Sequence, residues 1–598
     1  MKLSRPLLPA TLCALLLLAN SAAAADKLGE RLRQALRPLR ADDPVVVWVY
    51  LRDKGPDALH KAAPRDLVSE RCIQRRLKVC PPSQVVGEMD LPLAETYVDA
   101  IAGRVQQVRQ RSRWFNSLSV AATKRLVLAL QALPIVDHIE LVARFRRQPE
   151  PPAGIAAPEP SAASTPPRPT SLNYGPSLGQ LQQINVTGLH DLGLSGQNII
   201  IGHFDNGLRL MSHEAFASLH IVAQHDFVDH DGDPAPPPGS PDNVGAHGIS
   251  TLSVLGGFKS GELLGAAYGA DFVLARTEND FSETPIEEDN WVAAIEWAES
   301  LGVDVTSTSL GYLDYEPPYT SWSWEDMDGN TTVITRAADL AAARGVVVVN
   351  SAGNDGLDLT HNTLSAPADG DSVIAVGAVT ASGSRAAFSS VGPTTSIPPR
   401  IKPDVMAQGS GVWVAKATGT TDYGFGGGTS FSCPLAAGVA ALLLSGCPGA
   451  RPMQIRDAMR LTASQASSPD NLLGWGILNA SAALDYLKAS DSASATPPPA
   501  FRLEPNYPNP FNPSTVIRYL LPAPAFVTLR VYDLSGRAVR LLVNRDEPAA
   551  PHAVVWDASD DAGRRLPSGV YLYRLHAASG AGDAARVFEA ARKMTLVR

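Results

Sequence analysis

Cysteine is scarce, with five residues in 598. Cys13 falls in the N-terminal apolar run, which leaves four for the rest of the chain. A fold stapled mainly by disulfides is therefore excluded. Cys72 and Cys80 are close enough in sequence to pair in an oxidising compartment. Cys433 and Cys447 are not, because a helix over 430–445 carries them about 21 Å apart, against the ~4.4–6.8 Å a disulfide spans. Aromatics make up only 6%, so the cores must be built largely from Ala, Val and Leu. Basic excess is missing too. The balance of 51 Lys+Arg against 60 Asp+Glu argues against a nucleic-acid binder, which shows basic clustering. Beyond the N-terminus no segment holds 18 uncharged apolar residues, so no permanent membrane span is expected. His213-Glu214 does not continue into His-Glu-x-x-His, which argues against a zinc hydrolase.

What is present begins with an export signal over residues 1–25. Lys2 and Arg5 supply the positive start, 7–19 the short apolar run and 21–25 the small residues of a cleavage site. Pro and Gly, 48 each, gather in linkers. Residues 149–170 hold eight prolines in 22 positions, and 490–500 are Ser/Ala/Pro-rich; both resist packing. They divide the chain into 26–148, 171–489 and 501–598.

The first unit alternates strand and helix signals: strands over 45–51, 114–121 and 135–142, helices over 66–78 and 124–133. This predicts a small α/β sandwich. The middle unit repeats strand then helix. Its strands, at 198–204, 272–275, 303–310, 346–350 and 373–379, are near-continuous apolar runs, as a sheet buried on both faces requires. Helices are expected over 247–256, 288–301, 332–344 and 430–445, which implies a parallel sheet covered on both faces. The last unit has short strands at 516–521, 527–532, 554–556 and 570–575 between turn clusters, the pattern of a β-sandwich.

In an open parallel sheet, functional groups gather at the carboxyl ends of strands. Asp205 follows the first apolar strand, in FDNG. His247 opens a helix, in AHGIS. Asn354 follows VVVVN, and Ser430 opens an Ala/Leu-rich helix, in GGGTSFSCP. A serine hydroxyl needs a base to become a nucleophile. Histidine suits that task near neutral pH, and a buried carboxylate orients the imidazole and stabilises its cation. The resulting oxyanion needs donors such as an Asn amide and a backbone N–H. Ser430 sits in Gly-Thr-Ser-Phe-Ser, not in the Gly-x-Ser-x-Gly of an α/β-hydrolase.

These segments resemble the subtilisin-like serine proteases (subtilases) over most of 180–485, most specifically in GTSFSCPLAAGVAALL. The resemblance implies a peptide hydrolase with Asp205, His247 and Ser430 as triad and Asn354 as oxyanion donor. It implies that Ser309, Leu310 and Gly311 lie along an extended substrate, which suits an endopeptidase. Two positions depart from the family pattern: Asn206 stands where Ser or Thr usually follows the aspartate, and Ile249 where Thr usually follows His-Gly. Asn206 still offers a side-chain hydrogen bond near the carboxylate.

The first unit is similar to the subtilase inhibitory prosegment, through its element order and FNSLS at 115–119. That implies a chaperone and inhibitor cut away within 149–170. The tail resembles C-terminal domains of exported bacterial proteins related to a flagellar-hook Ig-like fold, several of them type IX secretion sorting signals. Its carriers are NYPNPFNPST, VYDLSGR, VWDASDDAGRRLPSGVYLYRL and RKMTLVR. The implied partners are protein or peptide substrates, the chain's own prodomain and bacterial export machinery, with an extracellular or cell-surface location. The chemistry needs no cofactor. Asp229, Asp231 and Asp233, and Asp326, Asp328 and Asn330, have spacings that leave structural calcium open without a complete calcium loop, and no metal ligand set is assigned.

Overall fold

The structure, a computed structural model, describes residues 27–55, 64–142, 172–279, 286–313, 321–494, 500–506, 509–511, 515–561, 563–579 and 586–597. The expected signal peptide and Pro-rich linker lie outside the described residues. The chain divides into two units, 1–484 and 485–598.

Period-two alternation in the first strand organises the start of unit one. The elements are α1 (Glu30–Leu36), β1 (Pro44–Leu51), α2 (Pro64–Leu67), α3 (Glu70–Arg76), α4 (Glu95–Ala102), β2 (Gln107–Ser112), β3 (Ser117–Thr123), α5 (Lys124–Leu130) and β4 (Val136–Leu141). The strands form an antiparallel sheet in the order β2-β3-β1-β4. Val45, Val47, Val49 and Leu51 face one core with α1, α4 and α5. Trp48 and Tyr50 face the other way and join a second core with Trp291, Ile295 and Ala338 of the following domain. The helix expected over 66–78 breaks at Ser69, whose hydroxyl caps α3 by accepting from Cys72 N. The strand expected from 114 begins at Ser117, because the preceding turn places Asn116 at φ 49°.

The Cys72–Cys80 pairing that the sequence spacing allows is not formed; both thiols are free. Cys72 Sγ donates to Glu299 Oε1 at 3.3 Å and Cys80 Sγ to Arg76 O at 3.1 Å.

The rest of unit one comprises α6 (Leu178–Gln183), α7 (Val186–Asp191), β5 (Ile200–Asp205), β6 (His220–Asp226), α8 (Ala246–Gly256), the small pair β7 (Phe258–Lys259) and β8 (Leu263–Leu264), β9 (Asp271–Arg276), α9 (Ile286–Leu301), β10 (Val305–Thr308), α10 (Val333–Ala343), β11 (Val347–Ser351), β12 (Ile374–Val379), β13 (Val405–Gln408), the hairpin β14 (Ser410–Ala415) and β15 (Tyr423–Gly427), α11 (Thr429–Gly446) and α12 (Pro452–Leu461). Seven strands pair in parallel, in the order β13-β12-β11-β10-β5-β9-β6. β5, β11 and β12 are buried along their whole length, which explains their unbroken apolar sequences. The edge strand β6, HIVAQHD, alternates in exposure and gave no such signal. By length and composition α11 is apolar enough to cross a membrane, but 89% of it is buried inside the fold. It packs against the sheet as a core helix.

The helix α13 (Ala480–Ser494) straddles the division between the units and enters the stretch expected as the second linker. Unit two is all β: β16 (Arg502–Leu503), β17 (Thr515–Leu520), β18 (Ala525–Tyr532), β19 (Ala538–Glu547), β20 (Pro551–Trp556), β21 (Gly569–Ser579) and β22 (Arg586–Leu596). Two antiparallel sheets, β16-β17-β20 and β19-β18-β21-β22, enclose a core that includes Ile517, Tyr519, Leu529, Trp556 and Tyr573. The edge strands β19 and β22 went unforeseen because they carry Arg, Lys, Asp and Glu, as exposed edges do.

Candidate active site

Strand order switches sides between β5 and β10: from β5 the chain crosses to the edge strand β6 and returns to β9 on one side, then runs outward from β10 to β13 on the other. A crevice opens at the carboxyl ends on either side of such a switch point. Asp205 is the last residue of β5, Ser309 follows β10 directly, and Asn354 follows β11.

Helix α8 delivers His247. Gly245, at φ 70°, turns the chain into it. Gly248 lies so close to the turn after β5 that a Cβ there would sit 2.2 Å from Gly207 O; only glycine permits this approach. The Gly248 N–H, one of the helix's orphan donors, is accepted by Asn206 Oδ1 at 3.1 Å. The departure at Asn206 is therefore a helix cap supplied from outside the helix. The Asn206 N–H also donates to Asp205 Oδ1 at 2.8 Å. His247 Nδ1 lies 2.6 Å from the same carboxylate oxygen, which identifies Nδ1 as the protonated nitrogen facing it. Asp205 is 1% exposed. Burial pushes its pKa up, but the charge and hydrogen bond of His247 prevail and hold it at about 2.

Ser430 stands in the first turn of α11. Gly428, at φ 144°, brings the chain out of β15 into this helix. Asn354 Oδ1 accepts from Thr429 N at 2.9 Å and Thr429 Oγ1 at 3.0 Å. A backbone N–H must meet an oxygen, so the Asn354 amide has one orientation and its Nδ2 turns the other way. A Cβ built on Gly428 would lie 3.7 Å from both Asn354 Nδ2 and Ser430 Oγ; the two groups border one small space. Pro434 has no N–H for the Ser430 carbonyl four residues back. That carbonyl accepts from Ser309 Oγ at 2.8 Å instead, and Ser430 Oγ lies 3.3 Å from Ser309 O. The Phe431 ring is 6.1 Å from the His247 ring, centre to centre. Ser309, Leu310 and Gly311 are held from behind: Leu310 O accepts from Asn350 Nδ2 at 2.9 Å, and a Cβ on Gly311 would be 2.1 Å from Ser365 Oγ.

Two side chains behind Asp205 escaped the sequence analysis. Thr251 Oγ1 donates to Asp205 Oδ2 at 2.9 Å, and His203 Nε2 lies 3.8 Å from the same oxygen. The signals were periodic: Thr251 is four residues after His247 on one helix face, and His203 two before Asp205 on one strand face. Ile249 is fully buried and keeps its β-branched shape in the core.

The acidic loops are occupied by the protein itself. Asp226 and Asp229 both accept from Arg276 Nη1, at 2.8 and 2.6 Å. Asp231 and Asp233 accept backbone N–H groups of their own turn. Asp326 pairs with Arg31, and Asp328 accepts from Asn330 N and Thr331 N. Among the described residues no group of three or more His, Cys, Asp or Glu is gathered for a metal ion.

An acid, an imidazole, a hydroxyl and an amide at the carboxyl edge of one parallel sheet define the class of a serine hydrolase on an α/β scaffold. The Subtilase family matches residues 196–476. Subtilisin NAT of Bacillus subtilis subsp. natto is 31% identical over 386 residues, which cover 64% of this chain and 85% of that protein. Subtilisin DY of Bacillus licheniformis is 32% identical over 291 residues, covering 49% and 92%. A solved chain of the proteases from Pseudoalteromonas arctica PAMC 21717 is similar at 24% identity and a TM-score of 0.42, covering 53% of this chain and all of that one. The chain belongs to the subtilase family, whose members are serine peptidases. Residues 46–153 match the Peptidase S8 propeptide domain of Bacteroidota, and residues 512–581 the FlgD Ig-like domain.

Proposed function

We propose that the chain is the zymogen of an exported serine endopeptidase. In this reading Ser430 Oγ attacks a peptide carbonyl while His247 Nε2 takes its proton. Asp205, hydrogen-bonded to His247 Nδ1, keeps the tautomer and stabilises the imidazolium. The carbonyl oxygen becomes an oxyanion that accepts from Asn354 Nδ2 and from the Ser430 N–H at the positive end of α11. His247 then protonates the leaving amine as the C–N bond breaks, and water hydrolyses the acyl-enzyme by the same route in reverse. Ser309, Leu310 and Gly311 receive the substrate as an added strand, which favours cleavage inside extended protein segments. The observation that carries this reading is the 2.6 Å contact between His247 and Asp205, beside a space bordered by both Asn354 Nδ2 and Ser430 Oγ.

Residues 26–148 act as prodomain and inhibitor, cut away within 149–170. Their shared core with α9 and α10 supports this role. Residues 501–598 act as a sorting domain for secretion to the cell surface or medium, a role supported by the Ig-like match.

The test is expression of the chain without residues 1–25, as wild type and as Ser430→Ala. Hydrolysis of casein or a fluorogenic peptide is expected from the wild type alone. Mass spectrometry of its products is expected to find a new N-terminus between residues 145 and 180 that is missing in the variant. Equal inertness of both proteins after removal of the N-terminal domain would make the chain a non-catalytic surface adhesin on a protease scaffold.

A further inference from the structure

The Asp205 carboxylate is gripped on two sides. Oδ1 takes His247 Nδ1 and the Asn206 N–H. Oδ2 takes the Thr251 hydroxyl at 2.9 Å. That hydroxyl also lies 3.1 Å from His247 O and 3.2 Å from Gly248 O, but its single proton goes to the carboxylate, the strongest acceptor in reach. His203 completes this rear face. Its ring is fully buried, with Nε2 3.4 Å from Thr251 Oγ1 and 3.8 Å from Asp205 Oδ2. Its Nδ1 meets no hydrogen-bond partner among the described residues. A lone pair costs less there than an unsatisfied N–H, so the ring proton belongs on Nε2. The Gly248 backbone takes a hydrogen bond from this ring, which stands beside the carboxylate and against the Thr251 hydroxyl.

We propose that Thr251 and His203 are a positioning pair that fixes the Asp205 carboxylate from behind, so that Oδ1 is presented squarely to His247 Nδ1. The inference rests on the catalytic roles proposed above for Asp205 and His247. Neither member touches the reacting atoms; both act through Asp205. A freely rotating carboxylate loses its alignment with the imidazole. The Thr251 donor on Oδ2, with the His203 ring beside it, also draws charge away from Oδ1, which limits how far Asp205 raises the basicity of His247.

The titratable and charged groups around this cluster are few. On β5 they are His203 and Asp205, and on α8 His247. From α11 the Cys433 thiol senses the Asp205 charge, and burial pushes it up to about 12, so it stays neutral. From β9, Arg276 is tied to Asp226 and Asp229. Burial pushes the His203 pKa down, so this ring stays neutral while His247 titrates.

The experiment compares full-length wild type, Thr251→Val, Thr251→Ser, His203→Val and His203→Gln after self-processing, with kcat and KM measured across pH. Thr251→Val is expected to lower kcat about 10-fold or more, with KM within about twofold. The acid limb of kcat/KM is expected to move up by about half a pH unit. Thr251→Ser, which restores the hydroxyl, and His203→Gln, which restores a donor near Nε2, should recover kcat to within about threefold. His203→Val should move the limb in the same direction by a smaller amount. Thr251→Val and His203→Val that both keep kcat and the limb at wild-type values would overturn the proposal. So would a loss that Thr251→Ser fails to recover although it melts like wild type.

A second readout needs no activity. In the Ser430→Ala zymogen, the proton NMR signal of His247 Nδ1–H should shift when Thr251→Val is added; an unmoved signal refutes the pair. If Thr251→Val does not fold, the His203 variants carry the same two readouts. A wild type without Ser430-dependent hydrolysis fails the proposed function, whereas an active wild type with indifferent variants fails this inference alone.

Discussion

At the scale of single residues, Gly428 shows how backbone geometry and chemistry coincide. Its φ of 144° lies where side chains are strained, and a Cβ would intrude 3.7 Å from both Asn354 Nδ2 and Ser430 Oγ. In the proposed mechanism a carbonyl oxygen occupies that space. Gly428→Ala is expected to lower kcat/KM about 100-fold or more, the scale of losing an oxyanion donor; steady-state kinetics after titration of active Ser430 checks this. Activity within about threefold of wild type would remove the oxyanion from that corner. Asn206 works through the backbone of another element. Asn206→Ala leaves the Gly248 N–H without its acceptor and should cost about 1 kcal/mol, as a lost helix cap does. Urea denaturation of the Ser430→Ala chain measures it.

At the scale of elements, the segment around α3 grips the carboxyl end of α9. Ser69 N donates to Ser300 O, Ser69 Oγ to Leu301 O and Arg71 Nε to Gly302 O. These carbonyls are the orphan acceptors of the α9 terminus, where cations are favoured. Arg75 and Arg76, both nearly inaccessible, pair with Glu299, which is fully buried. Arg76 also binds Asp90 at 2.8 Å, and Arg344 reaches Asp90 at 3.0 Å. Removing one partner from such a cluster leaves buried charge uncompensated. Arg76→Met should therefore destabilise the uncleaved chain by about 3–5 kcal/mol. The processed enzyme, which no longer contains Arg76 in the proposed scheme, should melt unchanged. Chemical denaturation before and after processing separates the two; equal effects on both forms would contradict the grip.

At the scale of the whole first unit, the N-terminal sheet covers carboxyls on α9. Asp289 accepts from Ser119 Oγ, and Glu296 from Ser112 Oγ and from Arg113 N at 2.9 Å. Burial raises Asp289 to about 6 and Glu296 to about 7, more than the facing arginines and hydroxyls lower them. Carboxyls raised in the docked state hold protons that α9 gives up once the N-terminal domain leaves, so docking is strongest below their ordinary values and weakens as pH rises through about 7. Glu140 opposes this only in acid. Burial raises its pKa as well, but His138 and Arg336 outweigh that and hold it at about 2, so its contribution persists above its ordinary value of 4.5 and is lost as pH falls toward 2. Dissociation of the cleaved N-terminal domain from the Ser430→Ala enzyme should accordingly speed up between pH 5 and pH 8, and Glu296→Gln should flatten the dependence. A complex that tightens over that interval would contradict the assignment.

How much of this was legible in the sequence follows from the range of the forces involved. Apolar runs such as NIIIGHF and VVVVN announced buried parallel strands because burial on both faces is written in consecutive residues. FDNG, AHGIS and GTSFSCP stood out because each combines a reactive side chain with the glycines its tight turn demands. The edge strands β6, β19 and β22 were missed since one exposed face erases the apolar signal. Only the tertiary structure decided what depends on residues distant in the chain. It made Asn206 a cap for α8 and freed the Ser430 carbonyl for Ser309. It gave Asp229 to Arg276, kept Cys72 and Cys80 apart, and set Thr251 and His203 behind Asp205. Covalent neighbours fix what a segment can form, but a hydrogen bond or an ion pair exists only once folding brings its two ends within about 3 Å.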